Sequence, residues 1–495
     1  MAKEGLMNKV MIANRGEIAI RIMRACRELG IETVAVFSDA DAKALFVRYA
    51  DEAYNIGKGP ASMSYLNQEK LIDVALKADV EGIHPGYGFL AENSDFCQLC
   101  HKNGIEFIGP PESAMRLMGS KIDSKKSMID AGVNVVPGVT EALADHERAK
   151  DVAHEIGYPV MLKASAGGGG IGIQMVPNAT EMEKALDSIR VLAKSSFGND
   201  AVFIEKYIDD PRHIEFQVLG DKKGNIIHLY ERECSVQRRH QKLIEETPST
   251  ALTPELREEM GEQAVLAAKT AGYHNAGTCE FMFKDGKYYF LEMNTRLQVE
   301  HPITEEVTRT DLAREMLYVG SGLELSYAQE DIVQNGHSIE FRINAEDPMN
   351  NFQPAPGRIV RYAEASGPGI RIDSGVYPGF TIPPYYDSMV AKLIVWGENR
   401  EFAFERGKRA LWEMQVSGVR TNIPFHEVVL HHPNFISGDY STSFIPKYNI
   451  LDKVVEYYKE KKAQQGGAQK AAAMAAVEAV IAGAAQTSQK KEKKE

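Results

Sequence analysis

Two segments of this chain set carboxylates, amides and cations at spacings that suit phosphate chemistry. In the first, Lys163-Ala-Ser-Ala-Gly167-Gly168-Gly169-Gly170-Ile171-Gly172 follows the apolar run Val160-Met-Leu162. Consecutive glycines let backbone N–H groups fold over phosphate oxygens without side-chain obstruction. A flexible linker is the plain alternative, but a linker has no use for a strand-borne lysine just upstream, whereas a phosphate does. The segment is not a Walker loop, because no Lys-Ser/Thr follows its last glycine. It is not a dinucleotide fingerprint either, because it lies mid-chain without the right helix onset.

The second segment is Glu292-Met-Asn294-Thr-Arg296-Leu-Gln298-Val-Glu300-His-Pro302, with Glu280 on the preceding strand. Glu, Asn, Arg, Gln and Glu at every second position would line one face of a strand. Two carboxylates about 4 Å apart in a partly buried site repel by a few kcal/mol, and a cation removes that cost. Carboxylate and amide oxygens suit magnesium, which bridges to nucleotide phosphates. Arg296 and Gln298 are of the type that binds a small oxyanion, and Glu300 of the type that takes its proton. A two-residue turn at Asp285-Gly286 would set Glu280 opposite Leu291, so convergence of Glu280 with Glu292 demands a one-residue slip or bulge. A further run, Arg232-Glu-Cys-Ser-Val-Gln237-Arg238-Arg239-His240-Gln-Lys242, alternates donors along a strand and turn. Either it is a solvated charged loop, or Lys242 and His240 face the acidic cluster.

The elements that must position these groups follow from the pattern. Apolar Val10–Ala13, a polar turn, an amphipathic helix over about 18–29 closed by Gly30, and a strand over 33–37 give β-turn-α-β order. The order continues through 71–78, 91–103 and 105–108, so a small parallel α/β unit is expected to end near residue 118. Helices over about 121–131 and 145–156, then strands over 160–163, 201–206, 213–219, 226–232, 278–283 and 288–293, indicate an α+β catalytic unit over 119–334. A third α+β region over 335–450 is punctuated by Pro354, Pro356, Pro368, Pro378 and Pro383-Pro384, and is expected to close one side of the site. Residues 451–495 shift to Ala, Gln, Lys and Glu, giving a frayed tail or a helix that docks a partner.

Composition bounds the rest. The 57 Lys+Arg against 69 Asp+Glu leave a charge of −12, which argues against a general nucleic-acid binder. Five scattered cysteines suit a reducing cytoplasm, and Cys97-x-x-Cys100 reads as buried thiols one turn apart, since no second metal-ligand pair stands near. No run reaches the length of a membrane span.

At these residues the chain resembles biotin carboxylase, a family of the ATP-grasp superfamily, over about 8–450. The resemblance rests on Ile12-Ala-Asn-Arg-Gly-Glu-Ile18, His84-Pro-Gly-Tyr-Gly-Phe-Leu90, Gln237–Lys242, Glu292–His301, Arg342-Ile-Asn-Ala-Glu-Asp347 and Pro384-Tyr-Tyr-Asp-Ser-Met389. It implies an N-terminal Rossmann-like domain (1–118), an ATP-grasp domain (119–334) with a glycine-rich lid at about 137–205, and a C-terminal mixed domain (335–450). It further implies that Lys121 and Lys163 bind ATP phosphates, with Gly169 and Gly170 in the lid. Glu205, Lys206, Tyr207 and Ile208 would hold adenine, with His213, Gln237 and His240 completing the nucleotide pocket. Glu280, Glu292 and Asn294 would bind Mg2+ or Mn2+. Bicarbonate would sit on Lys242, Arg296, Gln298 and the backbone of Val299, and Glu300 would deprotonate it for attack on ATP. Arg342 would stabilise the biotin enolate beside Tyr87.

The chain departs from many relatives at Ile171, where they carry Arg. It is most similar to the free-standing carboxylase subunit of a two-subunit pyruvate carboxylase, with the acetyl-CoA or acyl-CoA carboxylase component as the alternative. No biotin-attachment motif is present and no carboxyltransferase-sized segment follows residue 450, so biotin is expected on a separate carrier or carboxyltransferase subunit. The resemblance also implies a homodimer. Another ATP-grasp ligase lacks the run through Arg342, and a silent nucleotide-binding regulator has no need of Glu300.

Overall fold

The computed structural model describes residues 5–165, 172–461 and 463. Strand β1 (Lys9–Ile12) is followed by the helix Gly16–Leu29, which stops where Gly30 turns left-handed (φ 75°) and its N–H bonds back to the last turn. With β2 (Glu32–Ser38), β3 (Glu52–Gly57), β4 (Gly82–His84) and β5 (Glu106–Phe107) it forms an all-parallel sheet ordered β3-β2-β1-β4-β5. Alternation along β1 sends Val10 and Ile12 to a core with Ile18, Ile22 and Met23, and Met11 to another with Leu71 and Phe96. Both faces are therefore covered, as parallel sheets require. Cys97 and Cys100 lie in that second core, and all five cysteines are free and buried.

Strands β6 (Val160–Ala164), β7 (Ile173–Val176) and β8 (Val202–Lys206) make a small antiparallel sheet ordered β7-β6-β8. With the helices His146–Ile156 and Met182–Phe197 it has a core of its own, built from Val152, Leu162, Val176, Leu186 and Ile204. Residues 166–171, with the glycine run 167–170 and Ile171, fall between β6 and β7 in sequence and outside the described residues.

The main body is an eight-stranded antiparallel sheet. It contains β9 (Arg212–Gly220), β10 (Ile226–Arg238), β11 (Gln241–Thr247), β12 (Asn275–Lys284), β13 (Lys287–Asn294), β14 (His337–Asn344), β15 (Ile370–Ser374) and β16 (Met389–Gly397). The order is β13-β12-β9-β10-β11-β14-β16-β15. Pairing of β11 with β14, Ile244 opposite Phe341, carries the sheet without interruption past residue 335. That continuity brings Arg342 beside residues a hundred positions earlier in the chain. The chain is helical over 450–461, and the Ala-rich stretch 471–485 lies outside the described residues. No helix among the described residues is long and apolar enough to cross a membrane.

Candidate active site

A cleft of about 730 Å³ opens between the three-stranded sheet, the β12–β13 hairpin and the β10–β11 hairpin. The β12–β13 turn is the two-residue Asp285-Gly286 expected from sequence, flanked by Lys284 opposite Lys287, with φ of 50° and 74°. A plain continuation would place Glu280 opposite Leu291. A bulge intervenes: Phe281 pairs with Phe290, Leu291 is skipped, and Glu280 pairs with Glu292. The bulge turns both carboxylates and Asn294 to one face, and Asn294 donates to Glu280 Oε1 at 2.8 Å.

The alternation from 292 to 300 does not continue as a strand. β13 stops at Asn294, residues 295–299 leave the sheet as a loop, and Glu300 precedes the helix His301–Thr308. Pro302 in the first helical turn suits that entry and would be out of place in a sheet ladder. Arg296, Gln298 and Glu300 nonetheless reach the cleft, held by specific partners instead of by a pleat. Arg296 Nε donates to Glu92 at 2.8 Å and its Nη2 to Asn294 at 3.2 Å. Gln298 donates to Glu280 at 2.9 Å and accepts from Arg232 at 2.9 Å. Glu300 accepts from Lys242 at 2.7 Å and from Arg342 at 2.9 Å.

The second hairpin turns through Arg239 and His240, both left-handed at φ 50° and 63°, and sets Gln237 opposite Lys242. Lys242 then reaches three acids: Glu215, Glu280 at 2.9 Å and Glu300 at 2.7 Å. Beneath it Arg232, fully enclosed, donates to Glu215 (2.6 Å), Gln217 (2.8 Å), Thr304 (3.0 Å) and Thr278 (3.2 Å).

These contacts set the charges. Burial opposes ionisation of Glu300, but the Lys242 ammonium and Arg342 outweigh it and hold the acid at about 2. Burial likewise opposes the charge on Glu280, and Lys242 with His213 drives it well below the ordinary carboxylate range. His213, 3.2 Å from Glu280, is raised to about 9 by that carboxylate against the cost of burial. His213, Glu215 and Glu280 lie close enough together to share an ion, and His213 also stands 3.6 Å from Glu215. Glu292 behaves differently. It is open to water within the cleft, yet the surrounding protein crowds out bulk solvent, and that together with nearby Glu280 pushes it up. No donor among the described residues bonds it. Two glutamates on one face, one lacking a protein donor, with an amide beside them, are a donor set that fits a hard divalent cation.

The same cleft holds Lys121 and Lys163, the cations expected for phosphate, with Lys125 beside them. Lys163 and Lys125 share Glu205, at 2.6 and 2.8 Å. Lys121 has no ion-pair partner among the described residues, and burial with nearby Lys163 lowers it against the pull of Glu292. Gly169 and Gly170 lie outside the described residues.

With this geometry in view, three family models match the chain in succession: "Biotin carboxylase, N-terminal domain" over 6–115, "Carbamoyl-phosphate synthase L chain, ATP binding domain" over 120–328, and "Biotin carboxylase C-terminal domain" over 340–447. A pyruvate carboxylase subunit of Methanothermobacter thermautotrophicus is 56% identical over 443 residues, 90% of this chain and 90% of that one. Biotin carboxylase 1 of Bacillus subtilis is 52% identical over 448 residues, 90% of this chain and all of that one.

The chain belongs to the biotin carboxylase family.

The crystallised biotin carboxylase domain dimer of Hydrogenobacter thermophilus 2-oxoglutarate carboxylase, in complex with MgADP, ADP and bicarbonate, superposes with a TM-score of 0.86. It is 50% identical, covering 90% of this chain and 98% of that one. The chain is thus an ATP-grasp ligase of that family, with the ATP-binding model over its centre flanked by the two biotin carboxylase models.

Within the biotin carboxylase fold, the cleft brings together Lys121, Lys163, Glu205, His213, Gln237, His240, Lys242, Glu280, Glu292, Asn294, Arg296, Gln298, Val299, Glu300 and Arg342. Lys206, Tyr207 and Ile208 do not line it, and Lys206 Nζ instead donates to the carbonyls of Gly157 (2.7 Å) and Tyr158 (3.3 Å). Glu205 holds two lysines. Tyr87 also stands outside the cleft, its hydroxyl on Glu17. Reasoning from sequence missed Glu215, Glu92, Glu245 and Lys392, and gave Arg232 no role. Glu215 was findable, two residues after His213 on the same strand face. Lys392 carried a signal too, as the sole charge in Met389-Val-Ala-Lys-Leu-Ile-Val-Trp-Gly397. Glu92, contributed by the N-terminal unit, carried none.

Proposed function

We propose that this enzyme uses ATP and Mg2+ to convert bicarbonate to carboxyphosphate and to carboxylate biotin presented by a separate carrier protein. One observation carries the reading: a carboxylate, Glu300, shares a buried pocket with three cations, Lys242, Arg296 and Arg342, next to an acidic pair suited to a metal. The ligands of the Hydrogenobacter relative, MgADP and bicarbonate, are those this donor set would accept.

The same contacts supply a way to time the base. Lys242 and Arg342 keep Glu300 a weak base. A bicarbonate that takes up Lys242 and Arg296 leaves burial less opposed, so Glu300 strengthens as a base when its substrate arrives. The deprotonated carbonate oxygen then attacks the γ-phosphorus, the bond to ADP breaks, and carboxyphosphate forms. Glu280, Glu292 and Asn294 would hold the metal, which when bound would neutralise charge on the phosphates. Lys121, Lys163 and the glycine loop bearing Gly169 and Gly170 would cover them, and the segment Glu205–Ile208 with His213, Gln237 and His240 would seat the nucleoside. Gln298 and the Val299 backbone complete the anion pocket. Carboxyphosphate would then break down to carbon dioxide and phosphate, and the phosphate would take the biotin ring proton. Arg342 would stabilise the resulting enolate, an oxyanion role, with Tyr87 alongside, as the biotin ring nitrogen attacks the carbon dioxide.

In this reading residues 1–118, 119–334 and 335–450 act as three domains of a cytoplasmic homodimer, and the acceptor served by its partner protein is pyruvate, as the 56% identity to a pyruvate carboxylase subunit supports. Free biotin with bicarbonate should stimulate ADP release from ATP. No stimulation at any biotin concentration sinks the proposal in favour of another ATP-grasp ligase. Activity of the co-purified complex with acetyl-CoA but not pyruvate would reassign the acceptor alone.

A further inference from the structure

Lys392 is fully enclosed in a strand, Met389–Gly397, whose other residues are all hydrophobic or glycine. It stands directly opposite Arg342 on β14 and Asp373 on β15, in one row across three strands. Two cations facing each other across a sheet are unfavourable, and a buried ammonium is costly unless acceptors surround it. Its acceptors come from three parts of the chain. Nζ donates to the main-chain carbonyl of Val299 at 3.0 Å, lies 3.2 Å from Glu17 Oε1 and 3.9 Å from Asp373, and sits 5.8 Å from the centre of the Tyr87 ring. Glu17 in turn accepts the Tyr87 hydroxyl.

The Val299 contact bears on the anion pocket. In the turn 298–300 both carbonyls are tied down: that of Gln298 accepts from His301 Nδ1 at 2.7 Å and from the His301 N–H at 3.3 Å, and that of Val299 accepts from Lys392. A carbonyl only accepts, so His301 carries its proton on Nδ1. In a planar trans peptide the N–H points away from the carbonyl. Anchoring these two oxygens therefore aims the N–H groups of Val299 and Glu300 the other way, and neither finds an acceptor among the described residues. Val299 lines the cleft.

We infer that Lys392 is a positioning residue, fixing the anion-binding turn through the Val299 carbonyl and tying it, through Glu17, to Tyr87. This rests on the carboxylase reading above. One ammonium would then set the bicarbonate site and the biotin flank in a common frame, although it touches neither substrate.

Steady-state ADP release separates the possibilities. In Lys392→Met the KM for bicarbonate should rise on the order of 10-fold to 100-fold, as a small misplacement of a reacting group does. The KM for biotin should rise with it, while the KM for ATP stays within about twofold of the parent. If that variant does not fold, Glu17→Gln keeps the shape and the Tyr87 bond but replaces the carboxyl group facing Lys392 with an amide. It should raise the same two constants by a smaller factor. Unchanged constants for bicarbonate and biotin, or an equal rise for ATP, would overturn the assignment while leaving the carboxylase reading intact. Absence of biotin-stimulated ADP release from the parent enzyme would overturn both.

Discussion

The five-stranded parallel sheet and the eight-stranded sheet are both buried, but by opposite means. On the first, Val10, Met11, Ile12, Val34 and Ile83 pack against helices, and the one charge on β1 is Lys9 at its first residue, paired with Glu52 at 2.8 Å. On the second, the side toward the cleft carries Glu215, Arg232, Lys242, Glu245, Arg342 and Lys392 at hydrogen-bonding distance from one another or from the acids and carbonyls of the loop after β13. Apolar burial stabilises a fold without demanding exact geometry. Buried ions contribute little net stability and hold only when every partner is in place. The second sheet thus keeps charges arrayed before substrate arrives, where no reorganisation is needed during reaction. The contrast implies that single changes in the two sheets should fail in different assays.

The largest effect belongs to the ionic face. Glu300→Gln should cut biotin-dependent turnover by about 10²-fold to 10⁴-fold, as loss of a general base does, while calorimetry finds ATP affinity within a few-fold of the parent. Equal loss of both would mean that Glu300 is structural. Next comes the apolar sheet. Phe96, fully buried and edge-on to Phe107 at 6.2 Å, should cost about 3–5 kcal/mol as Phe96→Ala in denaturant unfolding. The folded fraction should turn over normally, and a drop in kcat per folded molecule would erase the distinction between the sheets.

A smaller effect tests the ionic face by pH. Burial raises Glu245 from 4.5 to about 7, only partly offset by Arg342, 2.6 Å away. A carboxyl whose folded value lies above its unfolded one contributes stability below about 4.5 and loses it as pH rises through about 7. The Tm of the parent minus that of Glu245→Gln should therefore fall over that interval, and a flat difference would show Glu245 ionised throughout. The smallest change is again in the apolar unit. Asn93 caps the helix Ser94–Lys102, accepting from the Phe96 N–H at 2.8 Å, and Asn93→Ala should lower stability by about 1 kcal/mol without moving any KM.

The two sheets also differ in how readable they were. Period and punctuation revealed the parallel unit, because β1, the helix after it and Gly30 are decided by neighbours in sequence. The ionic face depends on partners far apart: Lys242 with Glu215, Glu280 and Glu300, Arg342 with Glu245, and Arg296 with Glu92. Residue types in 292–300 were read through the wrong element, since polar alternation resembles a strand even where Pro302 turns the chain into a helix. The bulge at Leu291 was recognised as a requirement, but its position is settled only by how β12 packs between β9 and β13. Lys392 went unread because its partners belong to three separate regions of the chain.

Everything assigned to the ionic face assumes that bicarbonate oxygen reaches phosphorus. Turnover of ¹⁸O-labelled bicarbonate with ATP and free biotin tests this most directly: attack on the γ-phosphate leaves one bicarbonate oxygen in each phosphate released. Labelled phosphate formed in step with carboxybiotin is the expected result. Phosphate carrying no label, while biotin is still carboxylated, would rule that attack out.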